Sequence, residues 1–135
     1  MHILVIDDDI SVGPAILTLL RLHGWQAALA ENGWIGVQAF KDSRFNMILV
    51  DIFMPVMDGF QTIKALRQLT SNVPIVAMSG FRFRGPNIPA PDFLEMAVEL
   101  GAISFLRKPF GSKQLITACS ASIDQDLPRS GGASP

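Results

Sequence analysis

The chain has 135 residues and a formal net charge of -1, which fits one domain with a real core and gives no support for nucleic-acid or membrane-surface binding. Hydrophobic residues make up 49% of it and its mean hydropathy is +0.34, yet no apolar run approaches the ~20 residues of a membrane helix. A single cysteine, Cys119, excludes an internal disulfide and suits a reducing cytoplasm, and the N-terminus shows no basic n-region or cleavage site.

In chain order, the apolar run Ile3-Leu4-Val5-Ile6 leads straight into Asp7-Asp8-Asp9. Val12, Ile16, Leu19 and Leu20 then follow helical spacing, and Gly24 stands where a helix would stop. A short strand is predicted from about Gln26 to Ala30, then the turn Glu31-Asn32-Gly33, then a helix from about Trp34 to Asp42. Met47-Ile48-Leu49-Val50 is the next apolar run and ends in Asp51. Asp58-Gly59 opens a third helix with Phe60, Ile63 and Leu66 on one side. Ile75-Val76-Ala77-Met78 ends in Ser79. Asp92 followed by Glu95 has the pattern of a capping box and predicts a fourth helix ending before Gly101. Ile103-Ser104-Phe105-Leu106 ends in Arg107-Lys108, and Ser112 begins a fifth helix with Leu115, Ile116, Cys119 and Ile123 facing inward. Residues 1–123 read as the domain, and 124–135, with Pro128 and Gly131-Gly132, as a disordered tail.

Runs this short and this apolar read as strands buried on both faces, hence a parallel sheet. Strand and helix alternate five times, so right-handed crossovers place helices on both faces. The predicted fold is α/β: a doubly wound, flavodoxin-like (βα)5 domain with a five-stranded parallel sheet in order 2-1-3-4-5. In such sheets the functional crevice lies outside the carboxyl ends of the strands. The polar residue closing each run would meet the others there, and carboxylates, a hydroxyl and an ammonium suit a divalent cation and a phosphoryl group.

Four segments carry a family resemblance: residues 3–9, then Leu49-Val50-Asp51-Ile52-Phe53-Met54-Pro55-Val56-Met57-Asp58-Gly59, then 76–80, then Gly101 to Phe110 with Lys108-Pro109. In this order and spacing the chain resembles the receiver domain of two-component response regulators, a chemotaxis-regulator-like single domain. The resemblance implies that Asp51 accepts a phosphoryl group from a phosphohistidine on a histidine kinase or phosphotransfer protein; a carboxylate can form such an acyl phosphate. It implies Mg²⁺ (or Mn²⁺) held by Asp8 and Asp51, by Asp7 through water, and by the backbone carbonyl of Phe53; hard oxygen ligands select such ions over zinc. It implies that Lys108 pairs with a phosphate oxygen, aimed by a cis bond to Pro109, and that Ser79 bonds the phosphoryl group. Ser79 and Phe105 take the positions of the family's conformational switch, although phenylalanine lacks the hydroxyl of the common tyrosine. Asp9 reads as a solvated residue near the first helix, Trp25 and Trp34 as packing residues around the second strand and helix, and Cys119 as a small core residue.

Two departures stand out. Phe53 and Phe81 occupy positions where polar groups in many receivers orient the water that removes the phosphate; two rings there predict a long-lived acyl phosphate. The segment 81–91, with three prolines and a glycine, lengthens the connection after Ser79 and reads as irregular. No helix-turn-helix or nucleotide-cyclase module follows residue 123, so output is expected through an unidentified partner protein on the face of the fourth helix, fifth strand and fifth helix, or through passing the phosphate onward. The competing readings are a phosphorylation-independent interaction domain and a small aspartyl-phosphate phosphatase, which Asp7-Asp8-Asp9 could imitate. A P-loop nucleotidase is excluded by the lack of its glycine-lysine pattern.

Overall fold

The computed structural model describes the backbone of residues 1–80 and 90–132 and the side chains of residues 1–80 and 95–122. The elements alternate: β1 (His2–Ile6), α1 (Val12–Leu22), β2 (Gln26–Ala30), α2 (Gly33–Asp42), β3 (Met47–Asp51), α3 (Gly59–Leu69), β4 (Ile75–Ser79), α4 (Ala90–Glu99), β5 (Ser104–Arg107) and α5 (Ser112–Gly132). All neighbouring strands pair in parallel, in the order β2-β1-β3-β4-β5. This is the predicted doubly wound (βα)5 architecture.

The alternation of side chains along each strand divides the core in two. Leu4, Ile48, Val50 and Ile75 face the layer made by α2, α3 and α4, through Val37, Ile63, Leu66 and Ala97. Ile3, Val5, Leu49 and Val76 face α1 and α5, through Ile16, Leu20, Leu115 and Cys119. The three inner strands are therefore buried on both faces, which accounts for the high hydropathy. Burial pushes the Cys119 thiol up to about 12, so it sits in the core as a neutral thiol. No helix among the described residues is long and apolar enough to cross a membrane.

Several expectations are corrected. The edge strand β5 is covered on one face only: Leu106 is buried, whereas Phe105 is 44% exposed. An edge position in the sheet, which a local apolar run does not reveal, is the reason. Trp34 is 63% exposed and is not a packing residue; Trp25 does pack against the core and stacks edge-on with His23. Helix α4 begins at Ala90, so Asp92 lies inside its first turn and does not precede it. Pro91 suits that first turn because its φ is fixed in the helical range and its missing N–H is not needed there. Apart from these corrections, the backbone of helix α5 is assigned from Ser112 to Gly132. The segment 81–89, and with it Phe81, lies outside the described residues, as does the Ile123 side chain.

The helix ends are fixed by local chemistry. Helix α1 closes through Gly24 at φ 95°. The Asn32 side chain accepts the Ile35 N–H at 2.8 Å and caps α2. A full capping box opens α3: Asp58 Oδ1 accepts the Gln61 N–H at 2.8 Å, and Gln61 Oε1 accepts the Asp58 N–H at 3.0 Å. At the far end of the sheet the Arg67 guanidinium ties α3 to the α4–β5 corner, donating to the Gly101 carbonyl from Nε (3.0 Å) and Nη2 (2.7 Å) and to the Val73 carbonyl from Nη1 (2.7 Å).

Gly59 makes the closest approach in the fold's working end. Its N–H donates to the Ile52 carbonyl at 2.7 Å. A Cβ on Gly59 would stand 2.4 Å from Ile52 Cα and 2.5 Å from the Asp51 carbonyl oxygen, both backbone atoms. Gly59→Ala is therefore expected to lower unfolding stability by about 1–3 kcal/mol or more, measured by urea denaturation at constant pH.

Candidate functional site

Strand register assembles the site. Ile6 pairs with Val50, so Asp7 and Asp51 leave the sheet side by side. Asp51 pairs with Met78 and Ser79 with Arg107, which brings the ends of β4 and β5 to the same level. Carboxylate oxygens of Asp7, Asp8 and Asp51 lie within 4.8 Å of one another. Lys108 Nζ stands 2.6 Å from Asp7 Oδ2 and 3.6 Å from Asp51 Oδ2. Its backbone N–H donates to the Ser79 carbonyl at 2.8 Å, and the Lys108-Pro109 bond is cis. Ser79 closes β4 and is buried. Five residues from four strand ends are thus gathered at one edge of the sheet, as the strand-end reading expects.

The electrostatics are unbalanced. Among the described residues three carboxylates face one ammonium, and two of them, Asp7 and Asp51, are almost fully buried. Loss of water, opposed by Lys108 but aided by the charges of Asp7 and Asp8, pushes Asp51 up to about 7. A backbone hydrogen bond from Phe53 works the other way. The donor set consists of hard oxygens with an excess of negative charge, which fits a divalent cation such as Mg²⁺ and does not resemble a zinc site.

The remaining candidates take distinct places. Phe53, two residues after Asp51, is partly exposed. Phe105 points outward on β5. A cleft of about 560 Å³ runs from Lys108 and Gly80 along α1, between Leu19 and Phe110. In the β3–α3 connection Met57 N–H donates to the Pro55 carbonyl at 2.8 Å, a γ-turn centred on Val56 with φ 71° and 99% exposure. A β-branched residue in that region costs about 1–3 kcal/mol.

Asp9 is more than a solvated residue. Its Oδ1 accepts the Ser11 N–H (2.8 Å), the Ser11 hydroxyl (2.8 Å) and the Val12 N–H (3.0 Å), so it caps α1 from outside the helix. Those hydrogen bonds hold its carboxyl down at about 2. The legible signal is an Asp two residues before a Ser at a helix start, an Asx-turn pattern.

The Asp51 shift fixes a pH dependence for the metal-free protein. A folded-state pKa of about 7 against an ordinary 3.8 means the folded form holds the proton longer than the unfolded form. Stability therefore falls as pH rises from about 4 to about 7 and levels off above. Asp51→Asn removes that loss. Its melting temperature in chelator should match wild type near pH 4 and exceed it increasingly up to pH 7, followed by calorimetry.

The family model for the response regulator receiver domain matches residues 3–120. The chain is 34% identical over 119 residues to the transcriptional regulatory protein CpxR homolog of Haemophilus influenzae, covering 88% of this chain and 48% of that protein. It is 32% identical over 115 residues to the transcriptional regulatory protein ZraR of Klebsiella oxytoca, covering 85% and 24%. The chain thus spans half or less of the length of these curated relatives. Among solved structures, the chemotaxis protein CheY4 of Vibrio cholerae superposes with a TM-score of 0.81 at 26% identity, covering 90% of this chain and 97% of that one. With family model, relatives and strand-end carboxylates in agreement, the chain belongs to the response regulator receiver domain family.

Proposed function

We propose that the protein is a phosphoacceptor switch of a two-component phosphorelay, with Asp51 as the acceptor. The observation that carries the reading is the placement of Asp51: a buried carboxylate within 3.6 Å of Lys108 and clustered with two further carboxylates. A carboxylate oxygen of Asp51 attacks phosphorus, the bond from phosphorus to the donor's imidazole nitrogen breaks, and that nitrogen keeps the electron pair. The donor is a histidine kinase or a histidine phosphotransfer protein, by membership of the family. The product is an acyl phosphate held on the protein, so the chain assists its own modification and does not turn over a free substrate.

Asp8 and Asp51 would hold Mg²⁺ directly, Asp7 through water, with the Phe53 carbonyl as a further ligand. When bound, the ion neutralises charge on the transferring phosphoryl oxygens. Lys108 supplies a second, fixed positive charge to those oxygens. Ser79, at the end of β4, offers a hydroxyl to the phosphoryl group, and its movement toward the phosphate vacates space for Phe105 to swing inward. Output then passes to a partner protein through α4, β5 and α5. Phe53, whose ring offers no hydrogen bond, screens the phosphate from attack by water.

Incubation with Mg²⁺ and acetyl phosphate should give a single phosphoryl adduct by intact mass, absent from Asp51→Asn and strongly reduced in Lys108→Ala. A wild-type protein that takes up no phosphate from acetyl phosphate or from any autophosphorylated kinase would remove this reading. Phe53→Asn should shorten the lifetime of the adduct several-fold, timed by mass after removal of the donor; an unchanged lifetime would show that the ring does not screen.

A further inference from the structure

We propose that Asp9 is a positioning residue for Asp7, acting through its own backbone amide and not as a ligand. The inference rests on reading Asp7, Asp8 and Asp51 as a divalent-cation site. Asp7 is buried, and its two carboxylate oxygens have separate partners: Oδ2 takes Lys108 Nζ at 2.6 Å, and Oδ1 accepts the Asp9 N–H at 2.9 Å. The Asp9 amide is aimed because the Asp9 side chain is tied to the start of α1 by its bonds to Ser11 and Val12. The Asp9 carbonyl is held too, accepting the Gly13 N–H at 3.2 Å. The end of β1 and the first turn of α1 thus form one hydrogen-bonded unit, with Asp7 Oδ1 as its terminus.

The two partners of Asp7 differ in permanence. Lys108 is one ammonium shared between two carboxylates, since Asp51 Oδ2 is only 3.6 Å away. A phosphoryl group on Asp51 adds negative charge beside Lys108 and draws it from Asp7. The Asp9 amide belongs to the backbone and stays. It then keeps Asp7 in the rotamer that serves the metal, at the stage when the metal must be retained. Outer groups that orient ligands in this way commonly change metal affinity about 10–100-fold when removed.

Asp9→Asn retains the Oδ1 acceptor and so the cap; Asp9→Ala removes it. Mg²⁺ affinity is measured by titration calorimetry at fixed ionic strength on wild type, both Asp9 variants and Arg67→Met, which loosens the opposite end of the sheet. In ¹⁵N-labelled metal-free protein, hydrogen exchange of the residue-9 amide is followed in parallel. The expected result is a dissociation constant raised about tenfold or more in Asp9→Ala, near wild type in Asp9→Asn and in Arg67→Met, with a slowly exchanging residue-9 amide in every form but Asp9→Ala. Unchanged affinity in Asp9→Ala overturns the proposal, because Asp9 then only caps the helix. Equal loss in Asp9→Asn and Asp9→Ala overturns it in favour of a charge effect. A rapidly exchanging Asp9 amide in wild type overturns it without any variant. Failure of wild type to bind Mg²⁺ at all is a different result, and removes the metal-site reading beneath it.

Discussion

The constraint on which the structure turns is the crowding of like charge at a dry edge of the sheet. The buried Asp7 and Asp51 and the half-buried Asp8 meet at the ends of β1 and β3, and among the described residues one lysine, Lys108, stands against them. Left alone, such a cluster works against folding, since burial and repulsion both favour the neutral acid. The raised Asp51 pKa is the visible sign of that tension. A site of this kind is electrostatically incomplete, and it is most at ease when further positive charge arrives. The same imbalance that weakens the metal-free protein makes the carboxylate cluster a fit for a divalent cation.

Holding these groups in place is the work of the backbone more than of the side chains. Parallel pairing fixes Asp7 beside Asp51 and Ser79 beside Arg107. Helices α1 and α3 follow the acidic ends of β1 and β3, each started by an aspartate outside the helix, Asp9 and Asp58. N–H groups at the starts of these helices bond back toward the strand ends, Gly13 to the Asp9 carbonyl and Gly59 to the Ile52 carbonyl. The apolar faces on both sides of the sheet then lock the frame from below.

Much of this was readable in the chain. Short apolar runs ending in Asp7, Asp51, Ser79 and Lys108 state both the parallel sheet and the convergence, because strand-end residues of such a sheet must share one edge. Asp58-Gly59 marked the start of α3 from local chemistry alone. What could not be read depended on neighbours. The exposure of Phe105 follows from β5 lying at the sheet edge, and that of Trp34 from its turn position on α2. Asp92 looked like a cap because Glu95 follows at the right spacing, but Pro91 can itself occupy a first turn. The bond from the Asp9 amide to Asp7 needs the fold of residues 7–12 to be known, since sequence spacing does not say which way an amide points.

Gly59 gives the domain a mechanical direction. With no side chain it lets α3 rest on the backbone of β3 itself, and the capping box and the Gly59–Ile52 hydrogen bond close that joint from both sides. The joint is stiff, and it lies immediately behind Asp51. On the other flank, the described atoms nearest to a Cβ on Gly80 are those of the flexible Lys108 stem, and β5 is an edge strand with one exposed face. The surroundings of Asp51 are therefore asymmetric: close backbone contact on the α3 side, and on the β4–β5 side a flexible lysine stem and an edge strand with one exposed face.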